Sequence, residues 1–274
     1  MLTLLTATIG FTFIVALRYL AGSGLFASLT SRYRPGLHKT ARALRQQARE
    51  RRYSFIAAAI YGIPAGFVFW TWKQHGLTQL YTDPGAWPLW YLPASVLIYL
   101  AAHDTWFYWT HRAMHGRRLF PLMHRVHHDS RPPTAWAAMS FHWTESASGA
   151  LLFPLLVYIV PIHIGALGLV LAIATLFGVT NHLGWEIFPA RLVNGTFGRL
   201  VITASHHHRH HQAYNSNYGL YFRFWDRICR TDQGLSGDFG REESQAAARF
   251  AARRHGVAHH GQRASSESRP ASDA

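Results

Sequence analysis

The chain has 274 residues, of which 49% are hydrophobic and only 15% are charged, and this excludes disorder over most of its length because disordered segments are poor in apolar residues. Its single cysteine, Cys229, excludes an in-chain disulfide framework, a thiolate zinc cluster and an iron–sulfur centre. The net charge of +14 fits nucleic acid, anionic lipid or cytoplasmic membrane loops, and nineteen histidines against 13 acidic residues indicate that any metal site is built from imidazole.

The apolar residues fall in four blocks instead of being spread along the chain. A membrane-spanning helix needs roughly 20 mostly apolar residues, so each of the first three blocks fits one span. The fourth block is interrupted near Pro154, Pro161 and His163, which predicts a tight helical hairpin that returns to the side it entered from. The alternative is a buried helical core in a soluble protein. In chain order the blocks are Leu2–Leu17, Phe55–Trp72, Trp87–Ala102 and Ala147–Thr180.

The basic residues between the blocks predict an orientation. Eight lysines and arginines lie between residues 32 and 52, whereas only Lys73 lies between the second and third blocks. The positive-inside rule therefore places the first loop, and the segments after the third and fourth blocks, in the cytoplasm. These loops account for the net charge, and no recognition motif accompanies them, so we expect no nucleic-acid partner. The predicted fold is an all-α, multi-pass integral membrane protein with about four transmembrane helices and a cytoplasmic helical cap rich in histidine.

Three histidine clusters have the spacing of one helical face. One is HX3H and two are HX2HH, so that rings at i, i+3 and i+4 project from one side of a helix. A lone histidine is more often exposed or hydrogen-bonded, but three such clusters predict two metal ions with open positions for substrate or oxygen. Imidazole suits iron, zinc, copper and nickel, so the ligand type does not choose the metal. The eight ligands predicted from the spacing are His111, His115, His124, His127, His128, His207, His210 and His211.

Asp104 is the candidate supporting residue. It lies on one helical stripe with His111 and His115, which predicts that it accepts the second N–H of a ligating imidazole. His103 is one residue off that stripe and is predicted not to ligate. Because His206 and His210 are also four residues apart, the ligand register from His206 to His208 stays open.

The clusters and their surroundings resemble the sterol desaturase/fatty acid hydroxylase superfamily. The resemblance runs over about residues 98–231 and includes segments 103–115, 214–219 and 224–227. Asn181-His182-Leu183-Gly184 is similar to the family's intermediate histidine element, which implies His182 as a ninth ligand. His142-Trp143-Thr144-Glu145 stands where members often carry His-Pro-x-Glu, with Trp143 in place of the proline, and this adds His142 as a further candidate metal ligand.

The resemblance implies a membrane-embedded helical bundle whose cytoplasmic cap holds two non-haem iron ions and uses O2 as co-substrate. It implies hydroxylation or desaturation of an unactivated C–H bond in a lipid from the bilayer: a sterol, fatty acyl chain, carotenoid or ether lipid. Iron suits this chemistry, whereas zinc has no redox activity. The catalytic region, about 98–231, lies in a single predicted domain, 1–241, and the Ala/Arg/Ser-rich residues 242–274 predict a flexible tail.

Two other functions fit a histidine-rich membrane protein. A non-enzymatic metal transporter or sensor would place ionisable ligands inside its spans, where His163 is the main one. A metal-dependent membrane hydrolase would need a carboxylate base, for which Glu145 or Glu186 could serve. For an oxygenase, the sequence has neither a GxGxxG fingerprint nor the His-Pro-Gly-Gly signature of a fused cytochrome b5, so we expect a separate electron donor: a ferredoxin, cytochrome b5 or reductase.

Overall fold

The computed structural model describes residues 3–236, so the predicted tail at 242–274 and the end of the predicted domain lie outside the described residues. Two long helices open the chain. Helix α1, Leu4–Tyr33, begins with a capping box between Thr3 and Thr6. Helix α2, Ala41–His75, ends at Gly76, whose φ of 61° is in the left-handed region that glycine adopts without strain. Both helices are long and apolar enough to cross a membrane.

Both helices extend beyond the apolar blocks that predicted them. The arginines between residues 42 and 52 were expected in a loop, but they form the first turns of α2. Arginine is a good helix former, so the charged segment extends the helix of the apolar block toward its N-terminus.

Helices α1 and α2 pack closely through two glycines spaced as GxxxG. A Cβ atom on Gly62 would lie 2.7 Å from the Cα of Thr12, and one on Gly66 would lie 2.5 Å from the Cα of Thr8. Only glycine permits this approach of the two backbones. Small residues at this spacing are typical of helix pairs in membranes.

The third block becomes helix α3, Tyr91–Met114, which continues past the apolar residues and carries His111 on its last turn. The HX3H cluster therefore lies at the end of a long helix. The fully buried side chains of Tyr99, Ile162 and Val170 lie in the main hydrophobic core, which α3 forms with the elements of the fourth block.

The fourth block is broken where Pro161 and His163 predicted a break. It forms α6, Leu152–Ile159, and α7, Ile164–Thr180, and both pack against α3. Pro154 lies inside the first turns of α6 and does not interrupt it. A two-residue strand between them, β2 at Ile162–His163, pairs in parallel with β1 at Leu80–Tyr81, a feature that the apolar pattern did not predict.

Short helices carry the remaining histidines. A π-helical turn, Phe120–His124, leads into α4, Arg125–His128, and both follow α3 directly. Helix α10, Ala204–Ala213, carries the last cluster. The other short helices are α5 at Trp143–Gly149, α8 at Ala190–Val193, α9 at Thr196–Leu200 and α11 at Phe224–Ile228.

Candidate metal centre

Nine of the ten predicted metal ligands converge in two adjacent groups. In each group the potential ligand atoms all lie within 4.8 Å of one another. The two groups are neighbours, since the ring centroids of His128 and His211 are 4.5 Å apart. The first group contains His111, His115, His124, His128 and His210, and the second contains His127, His182, His207 and His211.

Helix geometry divides each HX2HH cluster between the two groups. On α10, His207 and His211 are one turn apart and face the second group, whereas His210 faces the first. In the cluster at residues 124–128, His124 and His128 belong to the first group and only His127 belongs to the second. One short helix therefore serves both groups.

Backbone carbonyls orient three of the rings. Nδ1 of His111 donates to the carbonyl of Tyr218 at 2.8 Å, and Nδ1 of His210 donates to the carbonyl of Ser216 at 2.7 Å. Nδ1 of His182, just beyond α7, donates to the carbonyl of Gly178 at 2.5 Å. A neutral imidazole that donates from Nδ1 presents a lone pair at Nε2. These hydrogen bonds therefore fix Nε2 as the ligand atom of these rings.

The rings are neutral at physiological pH. Burial lowers the pKa of His111 to about 4 and that of His115 to about 2. Burial also holds the pKa of His207 well below its usual range, and the neighbouring imidazoles lower it further. Neutral imidazole is the form that binds a metal ion.

The arrangement of lone pairs fits a bound cation. Nε2 of His111 lies 2.9 Å from Nε2 of His124, whose Nδ1 is bonded to the Glu145 carboxylate at 2.8 Å. Because Nδ1 of His111 carries its proton, the Nε2 lone pair of His111 faces Nε2 of His124. The Nε2 atoms of His182 and His207 are also 2.9 Å apart, and those of His128 and His210 are 3.0 Å apart. A metal ion would convert each of these contacts into a pair of ligand bonds, so the donor set fits two ions that prefer imidazole.

The predicted partner of Asp104 is wrong. Its Oδ1 atom accepts the backbone N–H groups of Tyr221 at 2.8 Å and Phe222 at 3.3 Å, and no imidazole of the described residues donates to it. The buried carboxylate therefore acts on the segment 218–222, whose Tyr218 carbonyl orients His111. The helical stripe placed Asp104 on the correct face of α3 but did not show which segment packs there.

Glu145 is the supporting carboxylate that the histidine pattern did not assign to the site. It lies on α5 and accepts from His124, the only ring of the first group with a carboxylate partner among the described residues. Such an acceptor orients a ligating imidazole and raises its basicity. The signal for it was present, because Glu145 occupies the acidic position of the His-x-x-Glu segment.

His142 is not brought to either group. It precedes α5, and its Nδ1 atom is 2.7 Å from the hydroxyl of Thr144. His103 also lies outside both groups, and its Nδ1 atom contacts the hydroxyl of Tyr221 at 2.7 Å. At the last cluster His206 turns away, since its Nδ1 atom contacts the hydroxyl of Thr203 at 3.1 Å. His208 also stands outside the two groups, which gives the register that the sequence left open.

An apolar cavity opens beside the two groups. Its walls include Tyr61, Trp106, Phe107, Phe153 and Leu171, which come from α2, α3, α6 and α7. His111, His124, His127, His182 and His207 also line it. The cavity therefore connects the space between the long helices with both histidine groups.

The fold and site together define a helical protein with two helices of membrane-spanning length and a polyhistidine site beside an apolar cavity. A family model described as fatty acid hydroxylase matches residues 96–231. The chain belongs to the sterol desaturase/fatty acid hydroxylase superfamily.

Curated relatives of this chain are named as sterol oxidases and desaturases. The chain is 30% identical to lathosterol oxidase of Rattus norvegicus over 186 residues, which are 67% of this chain and 60% of that protein. It is 30% identical to the Delta(7)-sterol 5(6)-desaturase erg32 of Schizosaccharomyces pombe over 139 residues, 51% of this chain and 40% of that protein. It is 29% identical to the C-4 methylsterol oxidase erg25 of the same organism over 144 residues, 51% of this chain and 47% of that protein.

The match spans only part of each relative, 60% of the rat lathosterol oxidase and 50% of the human one. No solved structure matches the chain.

Proposed function

We propose that this chain is a membrane-bound oxidoreductase that uses O2 to hydroxylate or desaturate a lipid at a centre of two iron ions. The observation that carries the proposal is the convergence of nine imidazoles in two adjacent groups beside an apolar cavity. In this proposal the ligands are the nine histidines of the two groups, and His142 is left out.

The iron ions would supply the redox chemistry with O2 that breaks an unactivated C–H bond. The protein's own residues position and protect that chemistry. The carbonyls of Tyr218, Ser216 and Gly178 hold protons at Nδ1, so that three Nε2 lone pairs stay directed inward. Glu145 holds the proton of His124 in the same way. The aromatic walls of the cavity exclude water and would hold an alkyl group beside both histidine groups.

The substrate proposed is a lipid that enters from the bilayer. The cavity is lined mostly by apolar side chains from the long helices, and the relatives named above are sterol oxidases and desaturases. Sterols, fatty acyl chains, carotenoids and ether lipids all offer the required hydrocarbon. Electrons would come from a separate ferredoxin, cytochrome b5 or reductase.

The proposed location is an integral membrane protein with several spans and the histidine groups on the cytoplasmic side. Helices α1 and α2 support this, because each has the length and composition of a span. The basic residues in the first turns of α2 are those from which the positive-inside rule infers the cytoplasmic side, so the start of α2 would be its cytoplasmic end. Recovery of the chain in the membrane fraction after alkaline extraction is expected, and its release into the soluble fraction would contradict the proposal.

The test measures metal content and O2 consumption of the detergent-purified protein. We expect two iron ions per chain, and O2 consumption that requires lipid and a reductant. His182→Ala and His111→Ala each remove a ring from one group and should lower iron content and abolish turnover. His142→Ala, outside both groups, is the matched control and should retain both.

Other outcomes identify the alternatives. Bound metal without O2 consumption would indicate a metal transporter or sensor. Lipid ester or amide cleavage that needs zinc and no O2 would indicate a hydrolase. Full iron content and turnover in both His182→Ala and His111→Ala would contradict the ligand assignment.

A further inference from the structure

Arg18 is a cation in the middle of α1 with no partner of opposite charge. Its Nε atom is buried and unpaired, and no hydrogen bond or ion pair of its guanidinium is found within residues 3–236. A charged side chain in a membrane-spanning helix is costly unless it faces a protein interior and finds a partner there. The position of Arg18 therefore calls for a compensating group.

The side chain of Arg18 lines the same cavity as the histidine groups. Its positive charge lies close enough to the phenols of Tyr61 and Tyr221 to interact with them. Phenols carry no charge at physiological pH, so they do not neutralise the guanidinium. The charge is therefore directed into the cavity and not toward the lipid.

No carboxylate within residues 3–236 forms an ion pair with Arg18. Glu145 lines the same cavity, but its Oε1 atom is bonded to His124 and it forms no ion pair with Arg18. The buried carboxylates of the long helices are bonded elsewhere: Glu50 of α2 to Thr134 and Gln46, and Asp104 of α3 to the backbone N–H groups of Tyr221 and Phe222. An anion that enters the cavity would balance the charge of Arg18.

We propose that Arg18 binds the carboxylate of the substrate, so that the cavity accepts a fatty acid whose chain extends toward the two histidine groups. This inference rests on the proposed function, because it names the substrate class of that same cavity. A guanidinium can donate two parallel hydrogen bonds to a carboxylate and cancels its charge. A neutral hydroxyl, such as that of a sterol, would accept a hydrogen bond but would leave the positive charge uncompensated.

Binding of a fluorescent fatty acid tests the proposal without any turnover. The probes are cis-parinaric acid and its methyl ester, titrated into the 274-residue protein in neutral detergent. Wild type should bind the acid roughly 10–100-fold more tightly than the ester, the range expected for a charge-assisted hydrogen bond. Arg18→Met should remove this preference while leaving ester binding intact, and Arg18→Lys should retain part of it.

Arg32→Met is the matched control, because Arg32 is an exposed arginine on the last turn of the same helix and does not line the cavity. It should bind both probes as wild type does. Equal affinity of wild type for acid and ester would overturn the proposal, and so would an unchanged acid preference in Arg18→Met. If Arg18→Met fails to fold, the ratio of acid affinity to ester affinity in wild type and in Arg18→Lys still tests the proposal.

Displacement of the probe by a sterol tests the competing possibility that the cavity binds a neutral lipid. Cholesterol that displaces the ester equally well from wild type and Arg18→Lys, together with no preference for the acid, would identify a neutral lipid site and contradict the proposal. Because the titrations need neither iron nor O2, a carboxylate-selective cavity in a protein without iron would contradict the proposed function alone. Iron-dependent turnover without carboxylate selectivity would contradict this inference alone.

Discussion

The carboxylate of Asp104 accepts the backbone N–H of Tyr221 at 2.8 Å, and this bond joins α3 to the segment that orients its own histidine. Three residues before Tyr221, the carbonyl of Tyr218 accepts from Nδ1 of His111, which is also on α3. From the other side, Asp226 on α11 accepts the N–H groups of Tyr218 and Gly219 at 2.9 and 2.8 Å. The segment 218–222 is thus held between two carboxylates, and it fixes His111 in turn.

Asp104→Ala should destabilise the protein and the metal site together. The change leaves the buried N–H groups of Tyr221 and Phe222 without their acceptor, and each unpaired group costs about 1–3 kcal/mol. Thermal unfolding in detergent and iron content measure the two effects. Asp104→Asn keeps one acceptor oxygen and should be milder. A variant Asp104→Ala with wild-type unfolding temperature and iron content would show that the segment 218–222 does not need this support.

Glu145→Ala should weaken the first histidine group. Without the carboxylate, nothing fixes the proton of His124 at Nδ1, and loss of such a partner typically costs about 10–100-fold in metal affinity or activity. Iron affinity measured by competition with a chelator checks this. His142→Ala, which changes a residue near the same helix but outside the groups, is the control, and equal losses in the two variants would count against a specific role of Glu145.

Gly66→Ala should separate the two long helices. The added Cβ would lie 2.5 Å from the Cα of Thr8, so the backbone of α1 must move. Overpacking of this kind typically costs about 1–3 kcal/mol, which thermal unfolding in detergent would detect. Gly10→Ala is the matched control on α1, because its added Cβ would have no contact within 4 Å outside its own stretch of helix. It should be neutral or stabilising by up to about 1 kcal/mol, and equal effects of both changes would contradict the close packing.

The ion pair of Asp232 with Arg223 should make stability depend on acid pH. Burial alone would raise the pKa of Asp232, but the hydrogen bonds from Arg223 at 2.5 and 2.9 Å, the hydrogen bond from the backbone N–H of Gly234 and the positive charge of Arg223 together outweigh it, so the pKa is lowered. A pKa that is lower in the folded state gives stabilisation that is full above the unfolded value, about 4, and is lost as the pH falls. Asp232→Asn should therefore cost about 1–3 kcal/mol at pH 7 and less below pH 4.

Unfolding temperatures at several pH values test this dependence. Asp129→Asn is the control, because Asp129 and Arg49 are 3.7 Å apart with side chains 44% and 35% exposed. An exposed pair of this kind contributes about 0–1 kcal/mol. A constant difference between wild type and Asp232→Asn at every pH would show that the charge of Asp232 does not contribute.

The histidine clusters could be predicted from sequence because their spacing is local. A turn of helix brings i and i+4 together whatever the rest of the chain does, and the eight rings predicted in this way all lie in the two groups. His182 came from the family resemblance and joins the second group. The division of rings between the groups could not be predicted, because it depends on how α10 is rotated against α3 and α4.

Contacts between distant segments account for the predictions that differ from the structure. Asp104 lies on the expected stripe of α3, but its carboxylate accepts hydrogen bonds from the backbone N–H groups of residues 221 and 222 instead of from an imidazole. The start of α2 also differs from the prediction. The sequence pattern places the charged segment that contains Arg49 in a loop, but this segment forms the first turns of α2. The parallel pairing of Leu80 with Ile162 joins segments far apart in sequence, and neither segment has a strand pattern of its own.

The shared use of α10 has a consequence for how the two groups respond to change. Because His210 belongs to one group and its neighbour His211 to the other, a rotation or shift of this ten-residue helix displaces ligands of both groups at once. An insertion of one residue within the helix would rotate the rings that follow it by about 100° around the helix axis. Changes in the register of this helix therefore alter both groups together, whereas a substitution at a single ring alters one of them.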